Sequence, residues 1–152
     1  MTTVDRALVI AGGLAALAAI AFKWSVAGDA CASTDAAVTY GDLLTYGDLL
    51  GTSIWSYSFI AGVGAAYGAG FVPGRFSLAI QLVGVAAAGF STIFLWGDAT
   101  APFEAVRGGE GAPVGISCNL YPAPGLWLAA ATVLLLIAAT GFRVARDRRA
   151  RS

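Results

Sequence analysis

Four stretches of this chain, at about residues 7–24, 51–72, 76–96 and 125–142, run almost without charge, and only Lys23 at the end of the first interrupts them. A bilayer core about 30 Å thick takes roughly 20 apolar residues as a helix, so each stretch is long enough to span. A water-soluble bundle needs polar faces at helical spacing, and these segments are apolar or small all the way round. The chain is therefore expected to be an all-α membrane protein, a single four-helix transmembrane domain over residues 1–152.

Composition excludes most other classes. Of the residues, 58% are hydrophobic and 12% charged, against about 45–50% and about 25% in soluble domains. Nine acidic residues balance nine basic ones, which disfavours a nucleic-acid surface, and histidine is absent. Two cysteines and no histidine leave no material for a haem, a metal centre or histidine acid–base chemistry. No metal, no cofactor and no catalytic residue are expected.

Pro73-Gly74-Arg75 is a helix break, so the second and third stretches form an antiparallel hairpin. The longer connections, 25–50 and 97–124, then share the opposite side. Arg6, Arg75, Arg143, Arg146, Arg148, Arg149 and Arg151 fall on the side of the termini, and only Lys23 and Arg107 on the other. By the positive-inside rule both termini are cytoplasmic and the two connections are outer loops. Trp24, Trp55, Trp96 and Trp127 each lie near the outer end of a different stretch, as interface anchors do. A secretory signal over the first stretch is disfavoured by its length and by Asp29 beside the only plausible cleavage position. Arginine at nearly every basic position, with abundant alanine and glycine, suggests a compositionally biased prokaryotic genome and hence a prokaryotic cytoplasmic membrane.

Cys31 and Cys118 fall one in each outer loop, on the side where disulfides persist, and read as a staple between the loops. A redox-active pair usually carries a nearby resolving cysteine, and neither has one. The first loop also holds an exact tandem repeat, Thr39-Tyr40-Gly41-Asp42-Leu43-Leu44 followed by Thr45-Tyr46-Gly47-Asp48-Leu49-Leu50. It is either a tolerated duplication or a contact surface made of Tyr40, Leu43, Leu44, Tyr46, Leu49 and Leu50. The second loop, rich in glycine and proline, is expected to be an irregular cap.

Within the stretches no ionisable residue is expected, which argues against a proton-coupled transporter. Gln81 is the most polar interior candidate and reads as helix-to-helix glue, so that its replacement by leucine leaves folding largely intact. Gly62, Ala66 and Gly70, Gly64 and Gly68, and Gly84 and Ala88 recur at four-residue spacing and mark close helix packing, or a homo-oligomer interface. The leading functional expectation is a non-enzymatic structural or interaction subunit acting through its outer cap, partnered by the lipid bilayer and by another membrane protein or a second copy. The alternatives are an outward-facing thiol–disulfide oxidoreductase using Cys31 and Cys118, and a small channel or transporter.

Overall fold

The computed structural model describes residues 3–27, 37–38, 53–100, 103–106 and 115–149. Within them are four helices, α1 (Thr3–Ala21), α2 (Ser53–Gly70), α3 (Arg75–Ala99) and α4 (Pro124–Arg149). Five short strands lie in the connections: β1 (Ser25–Ala27), β2 (Ala37–Val38), β3 (Phe103–Val106), β4 (Gly115–Cys118) and β5 (Leu120–Pro122).

The helices alternate in direction. The start of α4 lies against the end of α1, where Gly125 N–H donates to Lys23 O at 2.8 Å. The far end of α4 returns to the start of α1, where Arg146 is paired with Asp5. Between these ends α1 packs on α4 and α2 on α3, with α3–α4 and α1–α2 closing the ring. The buried positions of α1, Asp5, Val9, Gly12, Ala16 and Ala19, step by three or four residues and form one stripe. In α3 the buried stripe is Ser77, Gln81, Gly84, Val85, Ala88, Ser91, Thr92, Leu95 and Ala99, whereas Phe76, Ile80, Val83, Phe90 and Ile93 are exposed. Small and polar residues inside with large apolar residues outside is the distribution that lipid rewards, because the interior gains from close packing and hydrogen bonding.

Length and composition qualify three helices, α1, α3 and α4, to cross a membrane. The expectation of four such spans is corrected at α2. Its 18 residues rise about 27 Å, and three serines, two tyrosines and four glycines dilute its apolar character. The other correction concerns the loops, which are not wholly irregular. β1 is the centre of a three-stranded antiparallel sheet, β2-β1-β5, and β3 pairs antiparallel with β4. Because β1 belongs to the first connection and β5 to the second, an antiparallel pairing joins the two, with Ser25 opposite Pro122, Val26 opposite Tyr121 and Ala27 opposite Leu120.

Two glycines bring α2 and α3 into backbone contact. A Cβ added at Gly62 would lie 2.7 Å from both Gly84 O and Ala88 N, and one added at Gly84 would lie 2.6 Å from Gly62 O and 2.7 Å from Ala66 N. Ala66 and Ala88, the flanking small residues, are fully buried. Gly70 also packs, with Val9 about 3 Å from where its Cβ would be. Gly64 and Gly68 do not: nothing lies within 4 Å of a Cβ at either. They share the four-residue spacing but occupy the face of α2 turned away from α3. Leucine at Gly64 or Gly68 is accordingly expected to leave the melting temperature in detergent within a degree or two of the parent, a shift corresponding to about 0.5 kcal/mol or less. A collapse of either variant would show that something covers this face.

Candidate functional site

The most elaborate polar arrangement lies at the end of the bundle that holds the α2–α3 turn. The turn is made at Gly74, whose φ of 117° is one that L side chains rarely adopt. It leaves the last carbonyls of α2 without helical donors, as any helix end does. Arg143 of α4 supplies donors to one of them, Ala69 O, and to carbonyls of the turn that follows. Its Nη1 donates to Ala69 O at 2.9 Å and Gln81 Oε1 at 3.0 Å. Its Nη2 donates to Val72 O at 2.8 Å, Gly74 O at 2.9 Å and Ser77 Oγ at 2.6 Å. Ser77 Oγ–H donates in turn to Val72 O at 2.5 Å, with Gly74 O also in reach at 3.1 Å.

Arg143 is 5% exposed and Gln81 1% exposed, yet none of the five acceptors is a carboxylate. The negative end of the α2 dipole and its carbonyls stand where a carboxylate would otherwise be needed. One turn further along α4, Arg146 is paired with Asp5, which is itself 4% exposed. Together these two arginines tie α4 to α1 and to the α2–α3 turn. The charge-free stretches are not where these ionisable residues lie. Asp5 and Arg143 lie just outside the charge-free stretches read from the sequence, and the helices run on far enough to bury both.

Gln81 is joined to this cluster, so its replacement by leucine removes an acceptor from a buried charge and is not neutral. Elsewhere the interior satisfies itself locally. The hydroxyls of Thr92, Thr132 and Thr140 donate to the carbonyls of Ala88, Leu128 and Leu136, four residues back in the same helix. Of the buried side-chain polar atoms described, Ser25 Oγ and Ser91 Oγ lack a partner. Among the described residues no three acidic or cysteine side chains gather as a metal site.

At the opposite end the tryptophans take different roles. Trp24 is not an interface anchor: it is fully buried, its Nε1–H donates to Ala19 O at 2.8 Å, and its ring meets Phe59 edge-on at 6.0 Å. The indole folds back onto the last turns of α1 and against α2 rather than outward. Trp55 stacks on Phe94 with centroids 4.3 Å apart. Trp96 and Trp127 meet edge-on at 4.9 Å, with Trp127 59% exposed where a belt residue would be. Of the cysteines, Cys118 ends β4, its backbone opposite Phe103. Cys31 and the tandem repeat with Tyr40, Leu43, Leu44, Tyr46, Leu49 and Leu50 lie outside the described residues.

Comparison with protein-family models, with curated proteins and with solved structures finds no match to this chain.

Proposed function

We propose that this chain is a non-enzymatic subunit of a prokaryotic cytoplasmic membrane, a four-helix bundle that presents a disulfide-joined outer cap to a membrane-protein partner or a second copy. The observation that carries this reading is how the most buried cation among the described residues is used. The donors of Arg143 face the chain's own helix ends, so the charge serves to hold the bundle together rather than to meet a solute. α2 is fastened to α3 by the Gly62–Gly84 contact and by the turn at Gly74. The arginine-rich end faces the cytoplasm.

Two features support the cap. β1 and β5 already join its two connections, and Ala27 pairs with Leu120. Cys31 follows Ala27 by four residues and Cys118 precedes Leu120 by two, so a Cys31–Cys118 bond would close a short circuit beside an existing backbone pairing. Such a bond would add to the β1–β5 pairing in keeping the loops together.

Purification in mild detergent, with intact mass before and after reduction and alkylation, tests both parts. The expected result is a chain that alkylating reagent modifies only after reduction, eluting at fixed stoichiometry with another membrane protein or as an oligomer. A lone monomer with free thiols would overturn the proposal. A disulfide that cycles with a thiol partner would support an oxidoreductase instead, and solute flux in vesicles holding the chain alone would support a transporter.

A further inference from the structure

Grooves run between neighbouring helices along the outer surface of the described bundle. The one between α1 and α2, about 350 Å³, and the one between α2 and α3, about 520 Å³, are lined without a single charged side chain. The third, about 620 Å³ between α3 and α4, is apolar along Leu82, Val85, Ile137 and Val144 and ends in Arg148. Its floor is open at Gly141, where nothing lies within 4 Å of an added Cβ. The hydroxyl of Thr140, which also lines it, is already bonded to Leu136 O.

The arginines of the last turns of α4 are not equivalent. Arg143 is held by the α2–α3 turn and Arg146 by Asp5. Arg148 is exposed and makes no ion pair among the described residues. Of the three, only this groove has a charged side chain in its lining, a cation that makes no ion pair among the described residues, and it stands at the basic end of the bundle. From Ile137 to Arg148 the helix rises about 16 Å, half of a bilayer core of about 30 Å. Those dimensions match one acyl chain of one leaflet with its phosphate at the surface.

We propose that this groove is a binding site for an anionic glycerophospholipid of the leaflet on the arginine side. One acyl chain lies between Leu82 and Ile137 over Gly141, and the headgroup phosphate accepts from Arg148. The proposal rests on insertion of the chain in a membrane and is independent of its role as a subunit. The other two grooves, with no charged residue in their lining, take lipid without regard to headgroup.

The test is native mass spectrometry of the protein released from vesicles of phosphatidylcholine mixed with phosphatidylglycerol. The parent should retain phosphatidylglycerol in preference to phosphatidylcholine. Arg148→Gln should lower the retained phosphatidylglycerol about fivefold, the attraction of one basic side chain at an anionic surface. Gly141→Leu should lower it by filling the floor while leaving every charge in place. Arg6→Gln, which removes an exposed charge of α1 outside this groove, should not. Melting temperatures of the variants separate lipid loss from unfolding, and a photoreactive side chain in place of Leu82 should capture lipid. Equal loss in Arg6→Gln and Arg148→Gln, unchanged retention in both groove variants, or capture of a second polypeptide from position 82 would each overturn the site. Release of the chain into the soluble fraction on alkaline extraction would instead remove the membrane reading on which the site rests.

Discussion

Gly62→Leu and Gly84→Leu are expected to be the most damaging substitutions in the bundle, preventing α2 and α3 from reaching their observed separation. The atoms that a Cβ would strike at either position are backbone, Gly84 O and Ala88 N from one side and Gly62 O and Ala66 N from the other. A side chain can change rotamer, but a helix backbone can only move as a whole. Gly13 illustrates the difference, since a Cβ there meets the ring of Tyr67 at 2.6 Å, and a tyrosine ring can swing away toward lipid. Overpacking a core typically costs about 1–3 kcal/mol, and a backbone-on-backbone clash falls at or beyond the upper end. Alanine should already destabilise at either position because the Cβ alone is too close, and leucine should do so more. The two alanine substitutions compete for one gap, so the second should cost less than the first, a departure from additivity expected for residues in contact. Thermal unfolding in detergent of Gly62→Ala, Gly84→Ala and the double variant decides the matter. If the single variants melt with the parent, the helices do not approach at this point.

The contrast between Gly62 and Gly64 shows where sequence reading stops. The four-residue spacing of small residues identified α2 as a close-packing helix. Spacing is blind, however, to which of two neighbouring faces meets a partner, and that is decided by where Gly84 lies on α3. The helices were legible from charge-free length and the hairpin from Pro73-Gly74, because lipid solvation and backbone sterics act locally. The β1–β5 pairing was not, since two three-residue strands separated by more than ninety residues leave no periodicity to detect. Trp24 looked like its fellow tryptophans because its position near a helix end is the same as theirs. What differs is that its indole folds back onto Ala19 and Phe59 in the interior. Arg143 was hidden by its company, one basic residue in a run whose electrostatic reading concerns membrane orientation. Its burial follows from α4 continuing to Arg149 beside the α2–α3 turn, a tertiary fact with no local signature.

Removal of that guanidinium should be nearly as costly as a glycine clash, and it should fail in a different way. In Arg143→Met the apolar stem is kept while the carbonyls of Ala69, Val72 and Gly74, the amide of Gln81 and the hydroxyl of Ser77 all lose a charged donor. A hydrogen bond to a charged group is worth about 1.5–3 kcal/mol, but these five share one side chain, and some acceptors keep a second donor. Val72 O and Gly74 O remain within reach of Ser77 Oγ, and Val72 N still donates to Ala69 O at 3.3 Å. The net cost is therefore expected to be about 3 kcal/mol rather than the sum. Arg143→Lys should recover only part of it, because an ammonium has three donors on one atom and cannot reach the Ala69–Gln81 side and the Val72–Gly74 side together. Gln81→Leu should cost less than Arg143→Met, and in the Arg143→Met background it should cost almost nothing, since its buried amide has by then lost its donor. Unfolding of the two single variants and the double variant in detergent measures that coupling directly. Additive losses would mean that Gln81 and Arg143 act separately, and the buried cluster would then not be the unit that holds α4 to the α2–α3 turn.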